Sequence, residues 1–425
     1  MNRRSAPESN RCPLRPPEPR ARYREAVTSR LNDPPPRPAV HFDGITASNP
    51  REYADLRESP EALGTGLWAV LAEFDGPWHA WRFDAVNRAT PGPPVSTITS
   101  DRRAAAAGRD DAAVRWSSSL DRAGYEAAVT ATVEAIRRGR LEQVNLGRIL
   151  HRRLPVPVPA RALHARLAAA HPSPYGGYWD IPAGAAGPSD PGAWLVSASP
   201  ELAIAVDSGR IAARPIKGTA RTAAELLPKD GRENELVAGA LAAELALLCR
   251  PGSVRTEPAV LEHHPGLVHL VARVSGALTA ARPGPRDWMD ILTATQPPCS
   301  VAGVPRAAAL DWIGSVEPVP RGPYCGQFGW IDADAGRATL AAGIRIFWHR
   351  DGLLHFGTGA GITAGSTPAG EWAETELKAR RLVELAEDLL AAPADPADPA
   401  DPADLPAPTA PTGPPGPTGP DRPTA

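Results

Sequence analysis

The chain has 425 residues, 42% of them hydrophobic, with 46 basic and 48 acidic side chains and a formal net charge of −2. That balance has no basic stripe for nucleic acid, which leaves small molecules or proteins as the expected partners. The most apolar helical stretch, LVAGALAAELALL, is too short for a bilayer and carries Glu244, so no membrane contact is expected; the first residues lack the apolar core of a secretory signal, and the expected location is the cytoplasm.

Residues 1–40, rich in Arg and Pro, and residues 392–425, built on Ala-Asp-Pro repeats, bury too little apolar surface to offset chain entropy and are expected to be disordered. Between them, 41–391 reads as one large domain, with an amino-terminal lobe at about 41–119 and a motif-bearing part at about 120–391. Cys12, Cys249, Cys299 and Cys325 lie too far apart for a zinc site or a disulfide framework. Long helical patterns at 125–138, 233–248 and 371–390 alternate with hairpins around DSG and RDG turns, which argues for an α+β fold rather than a parallel doubly wound sheet.

In ELAIAVDSGRIAARPIKG the spacing predicts a strand, a turn at Asp207-Ser208-Gly209 and a second strand. With Ser208 and Gly209 at the turn centre, Glu201 falls opposite about Ile216, beside Lys217. Two readings stand: a salt bridge at a sheet margin, or an acid/base and nucleophile pair whose amine is kept neutral by apolar walls. On the final helix, Glu371, Glu374 and Lys378 share the stripe of Leu382, Leu385 and Leu389, and on the preceding long helix Glu233 and Glu244 share the face of Leu236, Val237, Ala240 and Leu247. Solvated i,i+4 pairs would explain such charges, but two helices burying carboxylates with few basic neighbours point to a divalent metal, with all-oxygen ligation favouring Mg²⁺. In GIRIFWHRDGLLHFGTGAG a turn near Asp351 sets Arg345 opposite Gly357, beside the run Gly357, Gly359, Gly361. The glycines either serve a sharp turn or let backbone N–H groups approach an anion that Arg345 holds.

The ordered motifs YEAAVTATVEAIRRGRLEQVNLGR, SASPEL, RPIKGTA, KDGREN, GLVHLVARVSGAL, QPPCSVAGVPRAAALDWI, PRGPYCGQFGWI, GIR, GTGAGIT and EWAETELK resemble the chorismate-binding enzymes, from about Leu120 to Leu390. The resemblance implies an α+β fold of two stacked antiparallel sheets with helices outside, and a deep cleft for Mg²⁺ and chorismate. It implies that Glu233 and Glu374 ligate Mg²⁺, with Glu371 and Lys378 close behind. Arg345, Tyr324, Gly359 and Gly361 would hold the substrate's carboxylates, and Thr219, His269 and Ser300 would line its ring and side chain. Glu201 would be the general acid at the C4 hydroxyl. Gln143 stands where isochorismate and salicylate synthases carry a water-activating lysine, which disfavours hydroxylation. Lys217 stands where anthranilate synthases usually carry alanine. The lysine version is similar to aminodeoxychorismate synthase component I, in which the amine attacks C2 before ammonia enters at C4, so 4-amino-4-deoxychorismate is the expected product and anthranilate the alternative. The chain holds no recognisable glutamine amidotransferase segment, so ammonia is expected from a separate glutaminase subunit.

Departures accompany the match. Where many relatives read AENLMIVDLxRND, this chain has Gly239, Ala242 and Ala243, with only Glu244 preserving a carboxylate at the last position, and TGAPK appears as AGVPR, Ala302 to Arg306. They leave open weakened activity, a shifted substrate or a specialised-metabolism paralogue, and a non-catalytic relative that binds chorismate or a glutaminase as the competing class.

Overall fold

A computed structural model describes residues 39–89, 116–220, 222–226, 228–264 and 267–391. Of the stretches 1–40 and 392–425 expected to be disordered, 1–38 and 392–425 lie outside the described residues, whereas 39 and 40 belong to the fold. The first described residues, Ala39 and Val40, are already buried.

The strands are β1 (Val40–Phe42), β2 (Ile45–Asp55), β3 (Leu67–Ala72), β4 (Trp78–Arg88), β5 (Ser117–Ser118), β6 (Gln143–Arg153), β7 (Tyr175–Ile181), β8 (Ala193–Ser199) and β9 (Leu202–Asp207). They continue with β10 (Arg210–Arg214), β11 (Ile216–Ala220), β12 (Arg255–His264), β13 (Leu267–Ala277), β14 (Gly303–Val304), β15 (Gln327–Asp332), β16 (Arg337–Ala342), β17 (Ile346–Arg350) and β18 (Leu353–Ile362). The helices are α1 (Arg122–Arg137), α2 (Ala160–Ala170), α3 (Pro228–Ala246), α4 (Pro285–Thr295), the single turn α5 (Cys299–Ala302), α6 (Arg306–Val316) and α7 (Pro368–Ala391).

Local chemistry sets several boundaries. Asp43-Gly44, Ser208-Gly209 and Asp351-Gly352 each put two consecutive residues at positive φ between paired strand ends, Phe42 with Ile45, Asp207 with Arg210 and Arg350 with Leu353. This is the two-residue hairpin turn whose twist matches that of the strands it joins. Asp121 caps α1 by accepting the Gly124 N–H at 2.8 Å, so the helix starts three residues before its apolar pattern suggests.

All the strand pairs are antiparallel and form one ladder. It runs β6, β18, β17, β8, β7, β1, β2, β4, β3, β15, β16, β9, β10, β13, with β5 and β14 on the outer edge of β6 and β11 and β12 flanking β13. The ladder curls on itself: Phe42 of β1 and Trp179 of β7 meet Phe328 of β15 edge-on at 5.3 and 5.4 Å. The expected α+β class holds, and the expected stacked layers are two arms of this single curled sheet. Helix α3 covers the β9–β10–β13 arm through Val237, Leu241 and Leu245, and α7 covers the β8–β17–β18 arm through Leu382 and Leu385. At roughly 25 cal/mol per Å² of apolar area, each such leucine contributes on the order of 2 kcal/mol of burial energy. The curl has a further result: β6 and β11, near opposite ends of the ladder, face each other across a cleft.

Candidate active site

Alternation along β6 puts Gln143, Asn145 and Gly147 on one face. Asn145 takes a hydrogen bond from the Lys217 Nζ on β11 at 3.1 Å and gives one from its amide to the Ser300 carbonyl at 3.0 Å. Gln143 donates to the Glu233 Oε1 at 3.0 Å, and the Lys217 Nζ reaches the same oxygen at 3.1 Å. Ser300, buried on α5, donates its hydroxyl to Glu201 in a short bond, and Glu201 also accepts the Ile216 N–H. The hairpin thus brings Glu201 to Ile216 through its side chain, while in the ladder Arg214 pairs with Leu202 after a register shift and the Glu201 carbonyl accepts the Ala342 N–H at 3.1 Å. On α7, the Lys378 ammonium meets Glu374 at 2.7 Å and donates to the Gly359 carbonyl at 3.0 Å.

Burial dominates the electrostatics. Glu201, 3% exposed, is pushed up to about 7 by desolvation, against the pull of Ser300 and Lys217. Burial lowers Arg345 to about 10, with His171 3.1 Å from its guanidinium. Burial alone would lower Lys378, but the carboxylates of Glu374 and, farther off, Glu233 hold it above its ordinary value. One cationic nitrogen thus feels both carboxylates, and Lys217 is sequestered at 7% exposure.

Several expectations need correction. The Lys217 Nζ lies 3.1 Å from the Glu233 Oε1, so the salt-bridge reading of this lysine has Glu233 and not Glu201 as its partner. Glu374 and Lys378 are not buried on the α7 stripe: their side chains are 42% and 41% exposed and line the cleft, while Glu371 is buried beside Tyr125. Leu247 lies past the end of α3 and is 83% exposed. The glycine run serves close packing. A Cβ on Gly357 would lie 2.1 Å from the ring of the buried Tyr324 and one on Gly359 2.7 Å from its hydroxyl, while one on Gly361 would lie 2.5 Å from the Glu233 Oε1. The β17–β18 register pairs Phe347 with Phe356, leaving Arg345 outside the ladder at φ +52° and not opposite Gly357. Gly239 and Ala243 are exposed on α3, and a Cβ on Gly239 would touch nothing.

Contacts therefore bring Glu201, Ser300, Lys217, Glu233, Glu374, Lys378, Gly359 and Gly361 together, with Tyr324 packed beneath and Arg345 within electrostatic reach of Lys378. Thr219 and His269 are paired across β11 and β13, His269 buried. Sequence reasoning missed Asn145, although the period-two face of QVNLG placed it beside Gln143. Among the described residues no three His, Cys, Asp or Glu side chains stand close enough to hold a metal ion. The donor set nevertheless suits a hard cation: carboxylate oxygens from two helices, each balanced by a lysine.

Among the described residues no helix is long and apolar enough to cross a membrane. A family profile described as chorismate binding enzyme matches residues 80–384. Anthranilate synthase component 1 of Thermus thermophilus is 34% identical over 286 residues, which is 64% of this chain and 58% of that protein. The Streptomyces coelicolor protein of the same name is 31% identical over 318 residues, 71% of this chain and 59% of its own length. The chain thus spans under two thirds of the length of these relatives. Among solved structures, the menaquinone-specific isochorismate synthase of Escherichia coli superposes with a TM-score of 0.61 at 19% identity, covering 85% of this chain and 98% of that one. Anthranilate synthase component I of Streptococcus pneumoniae gives 0.57 at 19% identity over 83% and 82%. With its motifs in order, its curled antiparallel sheet and its cleft of paired acids and lysines, the chain belongs to the chorismate binding enzyme family.

Proposed function

We propose that this protein is the component of a two-subunit synthase that aminates chorismate, with ammonia delivered by a separate glutamine amidotransferase subunit, and that anthranilate is its product. The observation that carries this reading is the buried Glu201, held by Ser300 with a pKa near 7, beside the paired Lys217 and Glu233. A carboxylic acid that keeps its proton at neutral pH in a dry site is suited to protonating a departing hydroxyl. Arg345, poised at φ +52° and half-buried, is suited to a substrate carboxylate. Glu233 and Glu374, with Glu371 behind them, would hold Mg²⁺, and that ion would supply positive charge for a second carboxylate of the substrate. The names of the relatives favour anthranilate.

One observation favours a second product, 4-amino-4-deoxychorismate. Lys217 is buried within reach of the same cleft, where it can serve as a nucleophile once Glu233 turns to another cation. Incubation with chorismate, Mg²⁺ and ammonium separates the two. Anthranilate fluorescence is the expected outcome, whereas 4-aminobenzoate appearing only after addition of a lyase acting on aminodeoxychorismate selects the second product. Neither product from folded protein sinks both.

A further inference from the structure

Glu244, which keeps the carboxylate at the last position of the family motif, and Arg306, which replaces the lysine of another, meet each other. The Arg306 Nε lies 3.0 Å from the Glu244 Oε1, with 21% and 16% of the two side chains exposed. The same guanidinium donates to the carbonyls of Gln296 at 3.2 Å, Pro297 at 3.4 Å and Thr293 at 3.4 Å. Arg306 therefore closes a loop on itself, gripping both the start of the 296–306 segment and helix α3. Between those grips sits α5 with Ser300, whose hydroxyl reaches Glu201 and whose carbonyl takes the Asn145 amide. On its other side the segment pairs with β6, Gly303 with Val144 and Val304 with Gln143. Along α3, Glu244 lies about three turns from Glu233 on nearly the same face, so one helix presents a carboxylate to Lys217 and another to Arg306. Cys299, 1% exposed, fills the space between α3 and the segment, its thiol touching Glu244.

We propose that the Glu244–Arg306 pair is a positioning latch: it clamps the Ser300 segment to α3 and so fixes the Ser300 hydroxyl on Glu201 while setting where α3 delivers Glu233. The retained carboxylate and the exchanged cation form one matched unit. The latch touches no substrate, and its catalytic effect rests on the chorismate-aminating reading above.

In Arg306→Lys the charge stays but the planar fork that grips three carbonyls is lost. The expected result is a kcat for chorismate and ammonium about tenfold lower with KM changed less than about threefold, since a small displacement of a positioned group is felt mainly in the transition state. Peptide mapping after maleimide treatment reads the latch independently of activity, with labelling of Cys299 expected to be about tenfold faster than in the parent protein. In a Ser300→Ala background the same substitution is expected to cost less than about twofold, because the group it positions is gone. Should Arg306→Lys fail to fold, Glu244→Gln, which keeps the volume and an acceptor, is read the same way. Unchanged kcat and unchanged Cys299 labelling overturn the latch, and so does an equal loss of kcat in both backgrounds. If the parent protein turns over no chorismate, the functional reading falls instead, and Cys299 labelling alone then decides for or against the latch.

Discussion

Two charged regions contact one stretch of β6 and behave differently. Arg321 is 1% exposed and uses four of its five N–H donors: it donates to both Glu317 oxygens at 2.8 and 2.6 Å, to the Asn145 carbonyl at 2.7 Å and to the Val301 carbonyl at 3.3 Å, with its guanidinium over the Phe74 ring. Glu317 in turn accepts the Gly147 N–H at 2.7 Å. The cleft group is more open. The Gln143 Oε1 is buried with no hydrogen-bond partner, Lys378 and Glu374 keep about two fifths of their side chains in solvent, and Glu201 holds its proton near neutrality. Charges whose bonding capacity is mostly filled brace a fold, whereas capacity left over in a cleft is what a ligand can take up.

Removing charge from each region breaks this contrast in opposite directions. Arg321→Ala leaves Glu317 buried and uncompensated, and it is expected to cost about 3–5 kcal/mol, read as a large fall in urea midpoint. A loss under about 1 kcal/mol would mean that the Arg321 knot is no brace. Glu201→Gln is expected to stabilise. The carboxyl's folded pKa of about 7 lies above its ordinary 4.5, so the parent protein loses stability as pH rises through that interval. The variant escapes this loss, gaining on the order of 2–3 kcal/mol at pH 8 and nothing at pH 4, while chorismate turnover falls at least about a hundredfold. A uniform loss of stability at both pH values would instead place Glu201 among the bracing charges.

The smallest of the three effects concerns a buried ring away from both regions. His164, 6% exposed, is pushed down to about 3, first by burial and then by His41, whose ring centroid lies 5.5 Å away. A depressed folded pKa means stability that is present above about 6.5 and lost as pH falls toward 3. Replacing His164 with Leu should therefore flatten the acid limb by about 2 kcal/mol between pH 7 and pH 5, measured as the difference in unfolding free energy. An unchanged slope would show that the ring is hydrated in solution.

What the sequence determined by itself was local and periodic. The turns at Ser208-Gly209 and Asp351-Gly352, the apolar stripes of α3 and α7, and the hairpin that leads Glu201 toward Ile216 follow from residue preferences acting over a few positions, and the ordered motifs carried the family. Tertiary structure decided which side chains meet. The cleft exists because the ladder curls until β6 and β11 face each other, so the bonds from Asn145 and Gln143 to Lys217, Glu233 and Ser300 join residues far apart in the chain. Periodicity ranks the faces of α7 but does not say that one end of a stripe opens onto a cleft, which is why Glu374 and Lys378 are half exposed and Leu382 is buried. Nor does it say that Glu244 and Arg306 complement one another. Long-range pairing depends on how the whole sheet bends, and no short window of sequence contains that energy.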